Sequence, residues 1–175
     1  ITDVLNKMFI ELKNNHQIYV IAPLIEESES IDLENVFALE EKMNKAFGKL
    51  FTIKSVHGKL SAEEKNEIMD DFSKHKIDIL ISTTVIEVGV DVKNASMIVI
   101  FDANMFGLST LHQLRGRVGR SDIQSYCILV AKESQERLRL LEKTNDGFEI
   151  SEYDFQNRGE GDLFGIKQSG ELEFK

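Results

Sequence analysis

The chain has 175 residues, of which 42% are hydrophobic and 29% charged, and it contains one proline and one cysteine. This length suits one α/β domain with a buried core, with or without a small appendage. One cysteine cannot pair within the chain, and no apolar run approaches the roughly 18 residues that a membrane-spanning helix needs, so we expect a cytoplasmic protein. The formal net charge of −9 argues against a nucleic-acid partner, because phosphate binding relies on lysine and arginine.

The negative charge is concentrated in one stretch. Residues 24–41 carry seven acids and no base, which leaves a net charge of only −2 on the rest of the chain. Residues 108–121 carry three arginines and no acid. An acidic run of this kind is typical of a solvated loop and helix face, so the acidity describes one flank of the molecule.

The first predicted element is a helix. Apolar residues at positions 1, 4, 5, 8, 9 and 12 lie on one helical face. Because this pattern is already under way at Ile1, we expect the chain to be a piece of a longer protein.

Five short, apolar, β-branched runs follow. They lie at residues 18–22, 51–56, 78–82, 97–101 and 126–131, and their unbroken apolar character predicts strands that are buried on both faces. Helical patterns at residues 33–47 and 61–73 lie between them, and a capping box of Ser61 and Glu64 marks the start of the second. This alternation predicts an α/β fold, with a mostly parallel sheet and helices on both of its faces.

The pattern changes after residue 131. Helical patterns at residues 134–143 and 150–156 precede a glycine-rich loop at residues 158–170. Two helices and a loop without a strand predict an appendage to the sheet. We therefore expect a main domain over residues 1–132 and a helical hairpin with a loop over residues 133–175.

The most informative stretch is QLRGRVGR at residues 113–120, which we call the arginine segment. Arginine offers a planar fork of donors that suits phosphate oxygens, and glycine lets the backbone approach a ligand closely. A spacing of three predicts that Arg117 and Arg120 lie on one face of a helical turn, where both reach one polyanion. The alternative is a basic surface turn paired with local acids, but only Asp122 lies nearby in the sequence.

A second stretch, STTVIEVGVDV at residues 82–92, directly follows a predicted strand. Small hydroxyls at the carboxyl end of a parallel strand lie where such sheets bind ligands. Gly89 allows a tight turn, and Asp91 can accept hydrogen bonds from sugar hydroxyls. An ordinary helix cap explains the threonines equally well.

Together these stretches resemble motifs V and VI of superfamily 2 helicases, which belong to the second of their two RecA-like domains. PLIEESE at residues 23–29, VHG at 56–58, TVIEVGVDV at 84–92, GLSTLHQLRGRVGR at 107–120 and NDGF at 145–148 follow in an order that is similar to the RecG family of bacterial ATP-dependent DNA helicases. The resemblance covers essentially the whole chain and implies a RecA-like, P-loop NTPase-type domain.

For ATP, the resemblance implies that Arg117 and Arg120 face the γ-phosphate across an interdomain cleft, with Arg120 as the arginine finger. It gives Gln113 a coupling or positioning role, and it places Gly89 and Asp91 beside the nucleotide ribose.

For DNA, the resemblance implies that the Thr83 hydroxyl contacts a backbone phosphate and that Thr84 assists it. His57 and Gly58 match a loop near the DNA backbone, although stabilisation of the turn explains His57 equally well.

For the tail, the resemblance implies a translocation motif in which hydrogen bonds link the hairpin to the loop, with Arg137, Arg158 and Gln168 as the polar residues of that network. The chain departs from the family at Glu160 in this loop, where proline is common, which predicts a less rigid loop. Lys93, after the motif V aspartate, likewise stands where proline is common.

The sequence has neither a GxxxxGK[ST] P-loop nor a Walker B pair, so it holds half of an ATP site, and Mg²⁺ is expected on a separate N-terminal lobe. We expect no metal site here, and we expect Cys127 to be a core thiol. The implied partners are branched double-stranded DNA, such as stalled forks and Holliday junctions, and the N-terminal RecA-like lobe and wedge domain of the parent chain. The implied setting is a monomer associated with the bacterial nucleoid.

Two alternatives stay open. A translocase of the Mfd type, which couples transcription to repair, shares HQLRGRVGR and the tail loop. A DNA-binding module that has lost catalysis is the other, and the paired arginines argue against it.

Overall fold

The computed structural model of the chain describes residues 2–23, 29–83, 92–119, 122–131 and 136–143, with the backbone alone at residues 29–31 and 137. Its helices and strands, in chain order, are α1 (Thr2–Lys13), β1 (Gln17–Ile21), α2 (Glu29–Phe47), β2 (Ile53–Val56), α3 (Ala62–Ser73), β3 (Ile79–Ser82), β4 (Ala95–Phe101), α4 (Leu108–Arg115), β5 (Tyr126–Val130) and α5 (Glu136–Lys143), with a short 3-10 helix over Ala103–Met105.

The five strands form one parallel sheet in the order β2-β3-β1-β4-β5. The central strand β1 is buried along its whole length, as are its neighbours β3 and β4. The predicted α/β fold with a parallel sheet is therefore confirmed, and every predicted strand lies within three residues of its observed bounds.

The strands supply alternate side chains to two hydrophobic cores, one on each face of the sheet. Tyr19 and Leu80 join the core that contains α3, α4 and α5. Their neighbours Ile18 and Ile79 join the core that contains α1 and α2. Because successive side chains on a strand point to opposite faces, an unbroken apolar run serves both cores at once.

The prediction that all five strands are buried on both faces is wrong for the two edge strands. Lys54 in β2 is exposed and Ser55 is half-buried. In β5, Tyr126 is exposed and the other four residues are only partly buried. An edge strand has a neighbour on one side only, so water reaches side chains that a central strand would bury.

The helices agree with the sequence at α3 and extend the prediction at α2. Ser61 caps α3: its Oγ accepts a hydrogen bond from Glu64 N at 3.1 Å, and Glu64 Oε1 accepts one from Ser61 N at 3.0 Å. The α2 helix begins at Glu29, four residues before the predicted start, and therefore takes in part of the acidic stretch. Among the described residues, no helix is long and apolar enough to cross a bilayer.

The first helix of the predicted appendage packs on the sheet. Leu138 and Leu141 of α5 are buried in the same core as Leu108 and Leu111 of α4. The second predicted helix, at residues 150–156, and the glycine-rich loop lie outside the described residues. The domain boundary at residue 132 stays a prediction.

Candidate functional site

Three of the predicted DNA contacts lie side by side at the carboxyl edge of the sheet, the edge where the strands end. Val56 and Ser82, the last residues of β2 and β3, are paired in register. His57 and Gly58 follow the first of these residues and Thr83 follows the second, so the sheet brings the two loops together. Thr83 is buried and Gly58 is exposed.

His57 and Gly58 play different parts in their loop. The Nδ1 of His57 accepts a hydrogen bond from Lys59 N at 3.2 Å, and its ring lies edge-on to Phe37 at 5.3 Å between centroids. These contacts fit the turn-stabilising role that the sequence left open for His57. A Cβ built on Gly58 meets no atom within 4 Å, so the described fold has room at this position.

The arginine segment spans the end of α4 and the turn that follows it. Gln113 is exposed on the last turn of the helix, and Arg117 is half-buried, with its backbone N–H donating to Leu114 O at 3.0 Å. Gly119 has a φ of +82°, a left-handed value that glycine adopts without a steric penalty. The backbone therefore leaves the helical path before Arg120. Arg120 lies outside the described residues, so the placement of Arg117 and Arg120 on one face of a turn stays a prediction.

The arginine segment lies towards the amino edge of the sheet, where the strands begin. The α4 helix starts after the end of β4, and the chain returns to the start of the parallel strand β5. The predicted DNA contacts and the arginine segment are thus separated by about the length of a strand, ~15 Å. Val118 belongs to the same hydrophobic core as Val92, the last residue of the second predicted stretch. Both stretches therefore contribute an apolar side chain to the core on the same face of the sheet.

Arg115 makes a contact that the sequence did not predict. Its Nη1 donates a hydrogen bond to the carbonyl oxygen of Leu141 in α5 at 2.5 Å, and its Nη2 donates one to His112 Nδ1 at 2.7 Å. Leu141 lies 26 residues along the chain, and its acceptor is a backbone atom that any residue would provide. No sequence signal could therefore have identified the contact.

A network of side-chain amides holds the amino edge together. The buried Gln17 donates through Nε2 to Phe72 O at 2.6 Å and to Ile77 O at 2.8 Å. Asn94, directly before β4, donates to Gln17 Oε1 at 3.1 Å and to Asn15 O at 2.8 Å. Through Asn94 and Gln17, residues 92–95 before β4 are therefore hydrogen-bonded to the turns that precede β1 and β3.

A cleft of about 680 Å³ opens beside the arginine segment. It is lined in part by Arg115, Gly116, Gly119 and Asp122. Cys127 lies nearby in β5, and burial raises the pKa of its thiol to about 11, although the positive charge of Arg115 acts in the opposite direction. The thiol is thus protonated at neutral pH. Cys127 is partly buried and packs against the core that contains α4, which fits the prediction of a core thiol.

The remaining predicted site residues lie outside the described residues: Thr84, Gly89, Asp91, Arg120, Arg158 and Gln168. Arg137 lies in α5, where the backbone alone is described. No cluster of histidine, cysteine or carboxylate side chains suited to a metal ion occurs among the residues that the structure describes.

A five-stranded parallel sheet, covered by helices on both faces and carrying an arginine-glycine turn after its fourth long helix, defines a RecA-like α/β lobe. Residues 1–122 match the family described as the helicase conserved C-terminal domain, and the chain belongs to that family.

The relatives and structural neighbours agree with this family. The chain is 55% identical, over 98% of its length, to the ATP-dependent DNA helicase RecG of Staphylococcus aureus. Its structure is similar to that of RecG bound to a three-way DNA junction, with a TM-score of 0.76 and 39% identity over 91% of this chain and 21% of that one. It is also similar to the DUF1998 helicase MrfA bound to DNA, with a TM-score of 0.58 and 25% identity over 81% of this chain and 20% of that one.

The resemblance to RecG-type helicases that the sequence motifs predicted is confirmed. The chain spans about a quarter of the length of the curated relatives that it matches, 26% for the S. aureus protein.

Proposed function

We propose that this chain is the second motor lobe of an ATP-dependent DNA helicase that remodels branched DNA, including stalled replication forks and Holliday junctions. The observation that carries the proposal is the arginine segment, held against the core at the end of α4 in a chain that matches RecG over nearly its whole length. The neighbouring RecG structure is bound to a three-way junction, which supports branched DNA as the substrate.

In this proposal the chain supplies half of an ATP site, through two arginines of the arginine segment and the stretch at residues 82–92. Arg117 and Arg120 stabilise the charge that develops on the transferred phosphoryl group, while Gly89 and Asp91 contact the ribose. Gln113, which is exposed at the end of α4, has a positioning role. The guanidinium groups suit phosphate oxygens, whereas the described residues offer no carboxylate cluster for Mg²⁺. We propose that Mg²⁺ is held by the N-terminal lobe of the parent chain.

The carboxyl edge contacts the DNA backbone in this proposal. The Thr83 hydroxyl, assisted by Thr84, binds a phosphate, and the loop at His57 and Gly58 lies alongside the strand. The open space around Gly58 supports this arrangement, because a backbone without a side chain lets a phosphate approach closely.

ATP and DNA are then bound at opposite edges of one sheet, so a change at one edge reaches the other through the packed cores. Arg137, Arg158 and Gln168 link the hairpin to the tail loop and move that loop on duplex DNA. We also propose that the parent protein acts as a monomer in the bacterial cytoplasm, associated with the nucleoid.

The test is the loss of the arginine finger in the full-length parent protein. We expect Arg120→Ala to reduce DNA-stimulated ATP hydrolysis by at least about 100-fold, because a finger arginine contributes mainly to the transition state. Binding to a synthetic three-way junction, measured by fluorescence anisotropy, should change by less than about threefold. Arg117→Ala should show the same separation with a smaller loss.

Lys49→Ala is the matched control, since Lys49 is an exposed cation outside the proposed site. It should leave ATP hydrolysis and junction binding unchanged. Unaltered ATP turnover in Arg120→Ala would show that the finger assignment is wrong.

A further inference from the structure

We propose that Arg115 is a positioning residue that couples the arginine segment to α5, so that movement at the nucleotide is passed to the hairpin. The inference rests on the proposed function, which places ATP at the arginine segment and the hairpin beside DNA. Arg115 lies within the arginine segment, but it is not one of the two arginines, Arg117 and Arg120, that are predicted to face the phosphate.

The hydrogen bond from Arg115 reaches the last described turn of α5. The Nη1 of Arg115 donates to the carbonyl oxygen of Leu141 at 2.5 Å, across 26 residues of chain. A carbonyl oxygen has two lone pairs, so it accepts this bond whether or not a backbone N–H also binds it. Arg115 therefore ties the end of α4 to one defined carbonyl of α5.

An arginine is needed because two acceptors are held at once. While Nη1 binds Leu141 O, Nη2 donates to His112 Nδ1 at 2.7 Å. A guanidinium has no acceptor, so the bonded nitrogen of His112 must be the one without a proton. The planar fork fixes both directions, whereas a lysine ammonium at the same place is a point charge on a flexible stem.

The apolar packing beneath this contact does not fix the position of α5 along α4, and we assign that role to Arg115. The α4 and α5 helices meet through leucines: Leu108 and Leu111 on one, Leu138 and Leu141 on the other. Apolar contact of this kind is non-directional, while a hydrogen bond to one carbonyl fixes a particular position along the helix. Arg115 is the last residue of α4 and lies two residues before Arg117. A displacement of the turn at Arg117 is thus transmitted to Leu141.

The experiment measures coupling in the full-length parent protein, as ATP molecules hydrolysed per synthetic three-way junction unwound. We expect Arg115→Ala to keep DNA-stimulated ATP hydrolysis within about threefold of the unaltered protein and to lower the unwinding rate at least tenfold. Arg115→Lys, which keeps the charge without the fork, should unwind at an intermediate rate. Lys143→Ala, which removes an exposed cation from the last turn of α5, is the matched control and should behave like the unaltered protein.

A second measurement separates coupling from stability. Hydrogen exchange at the amides of residues 136–143 should change when a non-hydrolysable ATP analogue binds the unaltered protein. This change should disappear in Arg115→Ala and should be smaller in Arg115→Lys. Loss of ATP hydrolysis and unwinding in equal measure, or an analogue-dependent change that persists in Arg115→Ala, would overturn the inference. If the unaltered parent shows no ATP-driven unwinding, the proposed function itself fails, and that result does not depend on Arg115.

Discussion

Two opposing effects act on the pKa of the Cys127 thiol. Burial in β5 disfavours the thiolate, and the guanidinium of Arg115 favours it. Burial is the larger effect, so the pKa rises from its usual value of 9.0 to about 11.

Cys127 should therefore react slowly with thiol reagents while the chain is folded. At pH 8 the thiolate fraction is about 100-fold lower than for a thiol with a pKa of 9, and the rate of reaction with a disulfide reagent should fall accordingly. The neutral thiol stabilises the fold fully below pH 9, and this stability is lost as the pH rises towards 11. Modification in denaturant at pH 8 provides the control, and equally fast modification of the folded chain would contradict the prediction.

The α3 helix shows an element whose start is determined by local sequence. Its capping box satisfies backbone N–H groups that the helix itself leaves unpaired. The hydrogen bonds from the Ser61 backbone and then from its side chain lower the pKa of the Glu64 carboxyl. A carboxylate with a lowered pKa stabilises the folded state above pH 4.5, and that contribution is lost as the pH falls below this value.

Replacing the cap should destabilise the chain by a measurable amount. We expect Ser61→Ala to lower the free energy of unfolding by about 1 kcal/mol, because an unpaired N–H remains at the helix start. Ser73→Ala is the matched control: this exposed serine in the last turn of α3 donates only to Asp70 O within its own helix. Urea denaturation followed by circular dichroism measures both, and equal effects of the two substitutions would contradict the capping role.

At the scale of the whole molecule, the sheet separates two kinds of surface. Its carboxyl edge presents the loops after β2 and β3, and its amino edge carries the arginine segment and the amide network. The net charge of −9 argued against a nucleic-acid partner. Most of this charge comes from residues 24–41, part of which lies in α2. We therefore expect this lobe by itself to bind DNA weakly.

The isolated 175-residue chain should hydrolyse no ATP, with or without DNA, because it lacks a P-loop to hold the β- and γ-phosphates. Phosphate release measured beside the full-length parent protein tests this, and the parent supplies the positive control. Junction binding by the isolated chain should be weaker than that of the parent by at least about tenfold. DNA-stimulated ATP hydrolysis in the purified chain would contradict the half-site interpretation.

The sequence by itself determined the five strands, the two-sided core and the resemblance to a helicase lobe, because each depends on side chains that are close together in the chain. Unbroken apolar runs specify strands packed on both faces. In QLRGRVGR, the arginines and glycines that suit phosphate binding are adjacent in the sequence itself. Only the tertiary structure decided which strands are edges, since that depends on pairing order.

The tertiary structure alone also decided that Arg115 binds Leu141 O in α5 and that Gln17 binds Ile77 O, 60 residues away. Both contacts end on backbone carbonyls, which every residue possesses, so no residue type marks them in the sequence. Gly119 shows the same limit in a single position. A glycine permits a left-handed φ, but only the fold showed that Gly119 adopts one, with a φ of +82°.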